Sequence, residues 1–316
     1  MRTLLRRLLQ VIVVLVVVTF FTAMLTDLLP GDPATTIAPF ATEEQRDEIR
    51  EALGLDKSLV PRYLDWAGNF FTGDMGEYYA GAGVKGDDVF ARAKDSVPRS
   101  LLLVLYVQVL TLLFAIPLGV LTAYKAGSTF DRSANGIVFA LVALPTFVFA
   151  AILKFWLGVR LDLLPTIGYV SPGLSLVEHM KTMAMPVIVI TVGQVAIYSR
   201  LLRSDMVATL QEDFILMAKA KGIPNRRILW RHALRPSSLT LLTVAGLNIG
   251  ALIGGALIVE RIFTTGGLGS QIFDAINRRQ YVPLQSFIAI VAVLYVAVNF
   301  FVDILYRVLD PRIRNV

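Results

Sequence analysis

Six long apolar runs constrain the fold of this chain more than any other feature of its sequence. Windows of about 18 or more residues, almost free of charge, occur near 8–26, 101–124, 133–153, 182–199, 237–259 and 284–302. Each is long enough to cross a bilayer as a helix, and 55% of the 316 residues are hydrophobic while only 17% are charged. The pattern predicts an all-α integral membrane protein with six transmembrane helices.

The first apolar run follows three arginines, an arrangement that also occurs in cleaved signal peptides. This run is longer than the apolar part of a usual signal peptide, and no small-x-small cleavage site follows it. We therefore interpret residues 1–26 as a cytoplasmic N-terminus and an uncleaved first transmembrane helix.

Basic residues in the short segments between the runs predict the orientation, because lysine and arginine favour the cytoplasmic side. They occur in every second segment, at Arg2, Arg6, Arg7, Lys125, Arg132, Arg307, Arg312 and Arg314. In a membrane chain this bias also explains the net charge of +6, so we expect no nucleic-acid binding. Both termini are then cytoplasmic, with an extracytoplasmic region at 27–97, a permease core of five helices at 98–309 and a cytoplasmic tail at 310–316.

The extracytoplasmic region has short helices of its own. Thr42 and Gln45 have the spacing of a capping box at the start of a helix, and Gly54 fits its end. The following stretch, 63–81, mixes aromatic residues with glycine and aspartate, which is typical of a helix or turn at the membrane interface. An inert cap and a docking surface both fit this stretch.

A basic, mostly polar loop at 205–236 separates the fourth and fifth runs. Within it, Gly222 fits the left-handed position that ends one short helix, and Pro224 fits the first turn of a second. Pro236 is expected to open the fifth span. The loop is therefore predicted to hold two short helices on the cytoplasmic side.

These two helices have apolar faces that point to a partner. Phe214, Ile215 and Ala218 are expected to share one face of the first helix. Ile228 and the side of the second helix that carries His232 are expected to form another face. Binding to anionic lipid is an alternative, but the small residues favour close contact with a protein groove. The residues expected at this interface are Phe214, Ala218, Ala220, Gly222, Arg227 and His232.

The sequence offers no means of driving transport or catalysis within this chain. It has no GxxxxGK[ST] phosphate-binding loop and no cysteine, and its spans carry no acidic residue at mid-depth. His179 and His232 are far apart and outside any metal-binding motif, so His179 is expected to be an exposed loop residue. We expect no catalytic residue, metal or cofactor here, and an energy source in another subunit.

Polar and small residues inside the spans are candidates for a transport pathway or for helix packing. Four polar residues interrupt the apolar runs, and glycines recur every four residues in the fifth span, where they allow another helix to approach closely. Plain interhelical hydrogen bonding explains any single polar residue equally well. The candidates are Gln108, Thr146, Gln194, Gly246, Asn248, Gly250 and Gly254, while Pro117, Pro145 and Pro186 mark kinks.

Several motifs together resemble the B-type permease subunit of ABC importers for dipeptides, oligopeptides and nickel. The 205–236 loop, with AKAKG and RRILWRHALRP, looks like the EAA coupling loop of that family. The other motifs, in family order, are LLPGDP at 28–33, ALGLD at 52–56, GDMG at 73–76, ALPTF at 143–147, LLPTIGY at 163–169, ERIFTTGGLG at 260–269 and DPRIR at 310–314. Leu216 stands where the wider loop motif has a glutamate, so the acidic contact of that glutamate is not inferred for this chain.

The resemblance implies a type I importer permease fold and a set of partners. These are a homologous second permease, two cytoplasmic ATPase subunits or domains that bind ATP and magnesium, and an extracytoplasmic solute-binding protein. Ala218 and Gly222 would then receive the nucleotide-driven motion. The expected outer gate or binding-protein contacts are Trp66, Asp74, Glu260, Phe263, Gly267 and Gly269.

The resemblance favours peptides as the solute and a prokaryotic inner or plasma membrane as the location. Nickel complexes and other small solutes stay open, since the channel candidates do not distinguish between them. An ion-coupled secondary carrier is an alternative of another class, and dependence of uptake on a proton or sodium gradient would favour it. A membrane anchor without transport activity is a third.

Overall fold

The computed structural model describes residues 2–28, 31–79 and 86–309, with side-chain surroundings for 12–28, 31–51, 53–79 and 86–302. Apart from one isolated bridge between Glu77 and Asp88, the regular structure of these residues is helical, so the predicted all-α class is confirmed. The helices are α1 (Arg2–Asp27), α2 (Pro33–Ile37), α3 (Glu43–Ala52), α4 (Leu59–Thr72), α5 (Val89–Tyr124), α6 (Thr129–Ala143), α7 (Thr146–Leu153), α8 (Leu176–Thr209), α9 (Asp213–Ala220), α10 (Asn225–Arg227), α11 (Leu234–Phe263), α12 (Leu268–Asn277) and α13 (Tyr281–Leu309). Two π-helical turns, Lys154–Arg160 and Ile228–Ala233, follow α7 and α10.

Four helical stretches in the described chain are long and apolar enough to cross a membrane. They are Val89–Tyr124, Leu176–Thr209, Asn225–Phe263 and Tyr281–Val302. A bent pair, Thr129–Ala143 with Thr146–Arg160, meets the same standard only when its two parts are taken together, and the apolar part of α1, Ile12–Asp27, is shorter. The number of six spans therefore stays a prediction.

The third predicted span, 133–153, is broken at Pro145, where a kink was predicted. Helix α6 ends at Ala143, α7 begins at Thr146, and their axes differ by 98°. Pro145 lacks a backbone N–H and disfavours helical geometry at the residue before it, and Leu144 is extended with ψ 126°. By contrast, α5 and α8 run through Pro117 and Pro186 as helices.

The prediction that Pro236 opens the fifth span after a separate short helix is wrong. Residues Asn225–Phe263 form one helical stretch of 39 residues, because the π-helical turn joins α10 directly to α11. A π-helical turn is wider than an α-helical turn and shifts the hydrogen-bond register, which fits a proline just beyond it. The second helix of the 205–236 loop is thus the start of the span itself.

The chain divides into two compact units, the first of which comprises 1–101 and 264–298. Its predicted capping box is confirmed: Gln45 N donates to Thr42 Oγ1 at 3.3 Å, and Thr42 N donates to Gln45 Oε1 at 3.0 Å. Gly54 follows the end of α3 with φ +66°, as predicted for a helix stop. The start and the end of α3 could be predicted because each depends on residues that are close together in the sequence.

An aromatic cluster joins α1, α4 and α13 within the first unit. The buried side chains of Ala23, Tyr63, Trp66 and Ala289 form its centre. Tyr63 shares a hydrogen bond of 2.9 Å with Thr19 Oγ1, and Trp66 Nε1 donates to Ser286 Oγ at 2.9 Å. The polar atoms of these rings are therefore satisfied, and α4 is held by packing as well as by hydrogen bonds.

The second unit comprises 102–263 and 299–316, and α8 is its central helix. Helices α6, α7 and α11 all contact α8. A buried apolar core contains residues of α5, α8, α9, the second π-helical turn and α11, among them Ala115, Leu202, Ile215, Ile228 and Leu241. The short helix α9 is thus part of the same core as three long helices.

Some predicted features lie outside the described residues. These are the tail at 310–316 with its DPRIR motif, and Leu29 and Pro30 of the LLPGDP motif. The surroundings of the N-terminal arginines are also undescribed, because side chains are characterised only from residue 12 onward.

The predicted orientation leads to a direct test with topology reporters. A reporter enzyme that is active only outside the cytoplasm, fused after Gly73, should be active, and the same enzyme fused after Asn225 should be inactive. The reason is that the basic loop at 205–236 and the acidic region at 27–97 are predicted to lie on opposite sides of the membrane. Activity measured in intact cells with the opposite pattern would reverse the orientation.

Candidate functional site

Three of the four polar interruptions meet in one network inside the second unit. Asn248 Nδ2 of α11 donates to Gln194 Oε1 of α8 at 2.9 Å, and Tyr198 Oη of α8 donates to Gln108 Oε1 of α5 at 3.4 Å. Asn248 also hydrogen-bonds Tyr198, which links the two pairs. We call Gln108, Gln194, Tyr198 and Asn248 the polar network.

The polar network has a buried end and a half-exposed end. Tyr198 is 0% exposed and Gln108 is 9% exposed, whereas Gln194 and Asn248 are half-buried. A buried amide in a membrane interior is costly unless it is hydrogen-bonded, which the inner pair achieves. The half-buried pair keeps donor and acceptor positions available to a passing polar group.

Tyr198 was missed in the sequence, and Thr146, the fourth polar candidate, lies elsewhere. The signal for Tyr198 was its position four residues after Gln194, which places both side chains on one side of α8. Thr146 is exposed at the start of α7, directly after the break at Pro145, and has no place in the polar network.

The three regularly spaced glycines of the fifth span, the glycine ridge, differ in burial. Gly246 and Gly250 are buried in α11, which packs against α8 and α7. Gly254 is exposed, and an added Cβ would meet nothing within 4 Å. The sequence left open whether the approaching helix belongs to this chain or to a paired permease, and a helix of this chain fits Gly246 and Gly250.

The turn at Gly222 has the geometry predicted for it. Gly222 has φ +71°, its N–H donates to the carbonyl of Lys219 at 3.0 Å, and Ile223 N donates to the carbonyl of Ala218 at 3.2 Å. This pair of bonds is a Schellman motif, which ends α9 and reverses the chain toward Pro224. An added Cβ at Gly222 would meet nothing within 4 Å, so only the backbone conformation requires glycine.

Helix α9 has a buried side and an exposed apolar side. Ile215 is 0% exposed and Ala218 is 7% exposed, and both pack into the core of the second unit. The opposite side presents Phe214, Leu216 and Met217, which are 46%, 54% and 58% exposed. We call these three side chains the outward apolar face.

Two predictions about the faces of this loop are therefore wrong. Phe214 does not share the surroundings of Ile215 and Ala218, and Ile228 is 1% exposed within the core of its own chain. Helix α9 is only eight residues long, so its inner side is needed to attach it to the core. Ala220, Gly222 and Arg227 are exposed, and His232 is half-buried.

The prediction that His179 is an exposed loop residue is wrong as well. It lies in the first turn of α8 and is 0% exposed. Its Nδ1–H donates to the carbonyl of Val170 at 2.7 Å, and Nε2 lies 3.0 Å from Tyr106 Oη. The ring of Tyr169 also meets it edge-on at 5.5 Å, so His179 joins the loop before α8 to helix α5.

Most of the predicted outer contact residues are buried within their own units. In the first unit, Trp66, Gly267 and Gly269 are buried, and only Asp74 is exposed. In the second unit, Glu260 is 0% exposed, and the 2% exposed Phe263 accepts a hydrogen bond from Gly168 N through its carbonyl at 3.0 Å. Their surroundings fit internal packing, and Asp74 is the candidate that a soluble protein reaches without rearrangement.

Asp32 and Tyr78 are among the groups of the first unit whose pKa values are shifted. Burial acts to raise the pKa of Asp32, but hydrogen bonds from Arg50 and Ala34 N outweigh it, and the pKa is lowered overall. The Asp32–Arg50 pair therefore stabilises the fold above the ordinary aspartate pKa and is lost as the pH falls through the lowered value. Burial raises the pKa of Tyr78 to about 12, even though the Arg92 guanidinium lies 4.2 Å from its ring centre.

A buried ion pair connects α6 to α8 and was not predicted. Arg203 donates from Nε to Asp131 Oδ1 at 2.7 Å and from Nη2 to Oδ2 at 2.6 Å. Asp131 also accepts from Gly127 N at 2.9 Å and Asn135 Nδ2 at 2.7 Å. With its partners separated by 72 residues, this pair has no local sequence signal, yet it fixes the start of α6 against α8.

Replacement of Asp131 by asparagine should destabilise the second unit. It would leave the Arg203 guanidinium without its carboxylate, at a cost of about 3 kcal/mol, the lower end for such pairs because Arg203 is 28% exposed. Thermal unfolding in detergent should show a lower midpoint for Asp131→Asn than for the exposed neighbour variant Arg132→Gln. Equal midpoints for the two variants would contradict a stabilising role.

Removal of the Tyr198 hydroxyl should weaken the polar network without disturbing the packing around the ring. Tyr198→Phe should lower the free energy of unfolding by about 1 kcal/mol, because the Gln108 carbonyl loses its donor in a buried position. The same change at Tyr295, which is 43% exposed, serves as the control and should have little effect on thermal unfolding. If both variants behave alike, the hydroxyl of Tyr198 does not support the network.

Sequence comparison connects both ends of the chain to one group of transport proteins. The family described as "Binding-protein-dependent transport system inner membrane component" matches residues 115–315. Its N-terminal counterpart, described as the N-terminal part of the same kind of membrane component, matches residues 1–83. The longer match includes the 205–236 loop and three of the four residues of the polar network, whereas Gln108 lies between the two matched ranges.

Curated relatives are similar over nearly the whole chain. The oligopeptide transport system permease protein AppB of Bacillus subtilis is 34% identical over 98% of each chain. The di/tripeptide transport system permease protein DppB of Pseudomonas aeruginosa is 34% identical over 94% of each, and the probable peptide ABC transporter permease protein y4tP of Sinorhizobium fredii is 32% identical over 98% of each.

Among solved structures, the fold is similar to that of the MetNI methionine ABC transporter in inward-facing conformations. One of its chains matches with a TM-score of 0.58 and 16% identity, over 70% of this chain and 97% of that chain. A second crystal form matches with a TM-score of 0.56. At this identity the likeness concerns the fold alone, which is that of an ABC importer permease.

Proposed function

Because the chain belongs to the family of binding-protein-dependent transport system inner membrane components, we propose that it is a permease subunit of an ATP-driven importer for peptides. The observation that carries the proposal is that relatives with 32–34% identity over nearly their whole length are named as peptide permeases. The chain is then a transport subunit without catalytic residues of its own. ATP and magnesium belong to its ATPase partners.

The 205–236 loop is the proposed contact to the ATPase. Its outward apolar face, Phe214, Leu216 and Met217, is exposed beside the cationic side chains of Lys219 and Arg227. Exposed apolar side chains on a short helix fit a hydrophobic cleft of a protein partner. On the other side of α9, the buried Ile215 and Ala218 connect it to the core, so a displacement of α9 has to move its neighbours.

The polar network is the proposed point where this motion reaches the solute. The ring of Tyr198 packs in the same core as Ile215 and Ala218, while its hydroxyl belongs to the polar network. Neutral amides such as Gln194 and Asn248 donate and accept hydrogen bonds as a peptide backbone does. They therefore suit a pathway that accepts peptides with different side chains.

The remaining partners follow from the family. A second, homologous permease would complete the pore, and an extracytoplasmic binding protein would deliver the solute to the outer side. In this arrangement both termini are cytoplasmic and the chain lies in the inner membrane of a prokaryote. Alternating access to the two sides would move the solute.

Reconstitution tests the function directly. Vesicles that contain the chain with its co-purified subunits and a binding protein should take up a labelled peptide when ATP is supplied, with no proton or sodium gradient. Uptake that requires an ion gradient instead of ATP would point to a secondary carrier. Uptake of a nickel complex but not of peptides would contradict the proposed solute and still support the proposed importer.

Replacement of Gly222 by valine should uncouple the importer. A branched residue in the left-handed conformation costs about 1–2 kcal/mol, so the turn after α9 would be strained and the outward apolar face misplaced. Vesicles with Gly222→Val should retain the second permease but lose ATP-driven uptake. Gly222→Asn is the matched control, since asparagine tolerates the left-handed conformation, and it should keep most of the uptake.

The outward apolar face provides an independent variant. A double change of Phe214 and Met217 to aspartate adds charge without touching the buried side of α9. It should abolish recovery of the ATPase in purification. If this variant still binds the ATPase, and Gly222→Val still transports, the loop is not the coupling site.

A further inference from the structure

An apolar groove runs along the surface of the second unit between α5, α6 and α8. It has a volume of about 690 Å³ and is lined by side chains that recur every three or four residues on each helix. Phe114 of α5 and Ile137 of α6 are 57% and 61% exposed in it. Neither the transport mechanism nor the coupling loop accounts for this groove.

The groove has one long direction. Along α6 it extends from Phe130 to Leu141, which is about 16 Å at 1.5 Å per residue. The long direction follows α6, as an acyl chain does beside a membrane helix.

One end of the groove carries positive charge. The Lys125 ammonium lies 5.1 Å from the ring centre of Phe130, which lines that end, and Lys125 is exposed. Among the described residues it has no carboxylate within ion-pair distance, and the nearby Asp131 is already paired with Arg203.

We propose that this groove binds an anionic phospholipid, with an acyl chain between α5, α6 and α8 and the phosphate beside Lys125. A basic group at the end of an apolar groove between membrane helices is complementary to such a lipid, and each nearby Lys or Arg strengthens the binding. The proposal requires only that the chain lies in a bilayer. It is independent of the solute that the importer carries.

Lipid titration followed by native mass spectrometry tests this site on the full-length chain in mild detergent. Phosphatidylglycerol should bind more tightly than phosphatidylcholine with the same acyl chains. Lys125→Gln should lower the affinity for phosphatidylglycerol about fivefold and leave phosphatidylcholine unchanged, while Lys125→Arg should retain the preference. Because Lys125 is exposed and its ammonium lies over a ring face without an ion pair to any described carboxylate, these variants are expected to fold normally.

Filling the groove provides the second variant and its control. Ala134→Phe, within the lining, should reduce binding of both lipids, whereas Val142→Phe, on the same helix but outside the lining, should not. Equal affinity for the two lipids together with no effect of Lys125→Gln would overturn the proposal, as would undiminished binding to Ala134→Phe.

A protein occupant of the groove would be visible by cross-linking. The chain has no cysteine, so Ile137→Cys introduces a single thiol in the groove. In the assembled transporter we expect this thiol to form no cross-link to another subunit. An efficient cross-link to a second permease would show that a helix occupies the groove and would also overturn the proposal.

Discussion

The burial of Ile215 and Ala218 in the core of the second unit is the contact on which the organisation of this protein depends. Without it, α9 would be an isolated helix of eight residues, too short to be stable in water. Through it, α9 shares one apolar core with Leu202 of α8 and Leu241 of α11. Since protein interiors are close-packed, a displacement of α9 cannot be absorbed locally and is passed on to the long helices.

Much of the fold could be predicted because its signals are local or strongly periodic. The apolar runs located the long helices, Thr42 and Gln45 marked the start of α3, and Gly222 marked the end of α9 with the observed left-handed backbone. These features depend on side chains a few residues apart. The same holds for the choice of Gln194 and Asn248, which stood out as polar residues in apolar surroundings.

What the sequence could not supply depends on contacts between distant residues. The Asp131–Arg203 pair spans 72 residues, and the burial of His179 depends on Tyr106 in another helix. The buried side of α9 was predicted wrongly, because a short amphipathic pattern does not show which side of a helix faces the core. The continuity of the helix through Pro236 also depends on context, since the sequence alone indicated a helix start at that proline.

The π-helical turn at Ile228–Ala233 joins α10 and α11 into one helical stretch of 39 residues, about 58 Å long, whereas the hydrocarbon core of a bilayer is about 30 Å thick. A helix of this length extends beyond the apolar part of any bilayer that it crosses. Because no loop separates α10 from α11, continuous helical backbone connects the polar start at Asn225 to the apolar span.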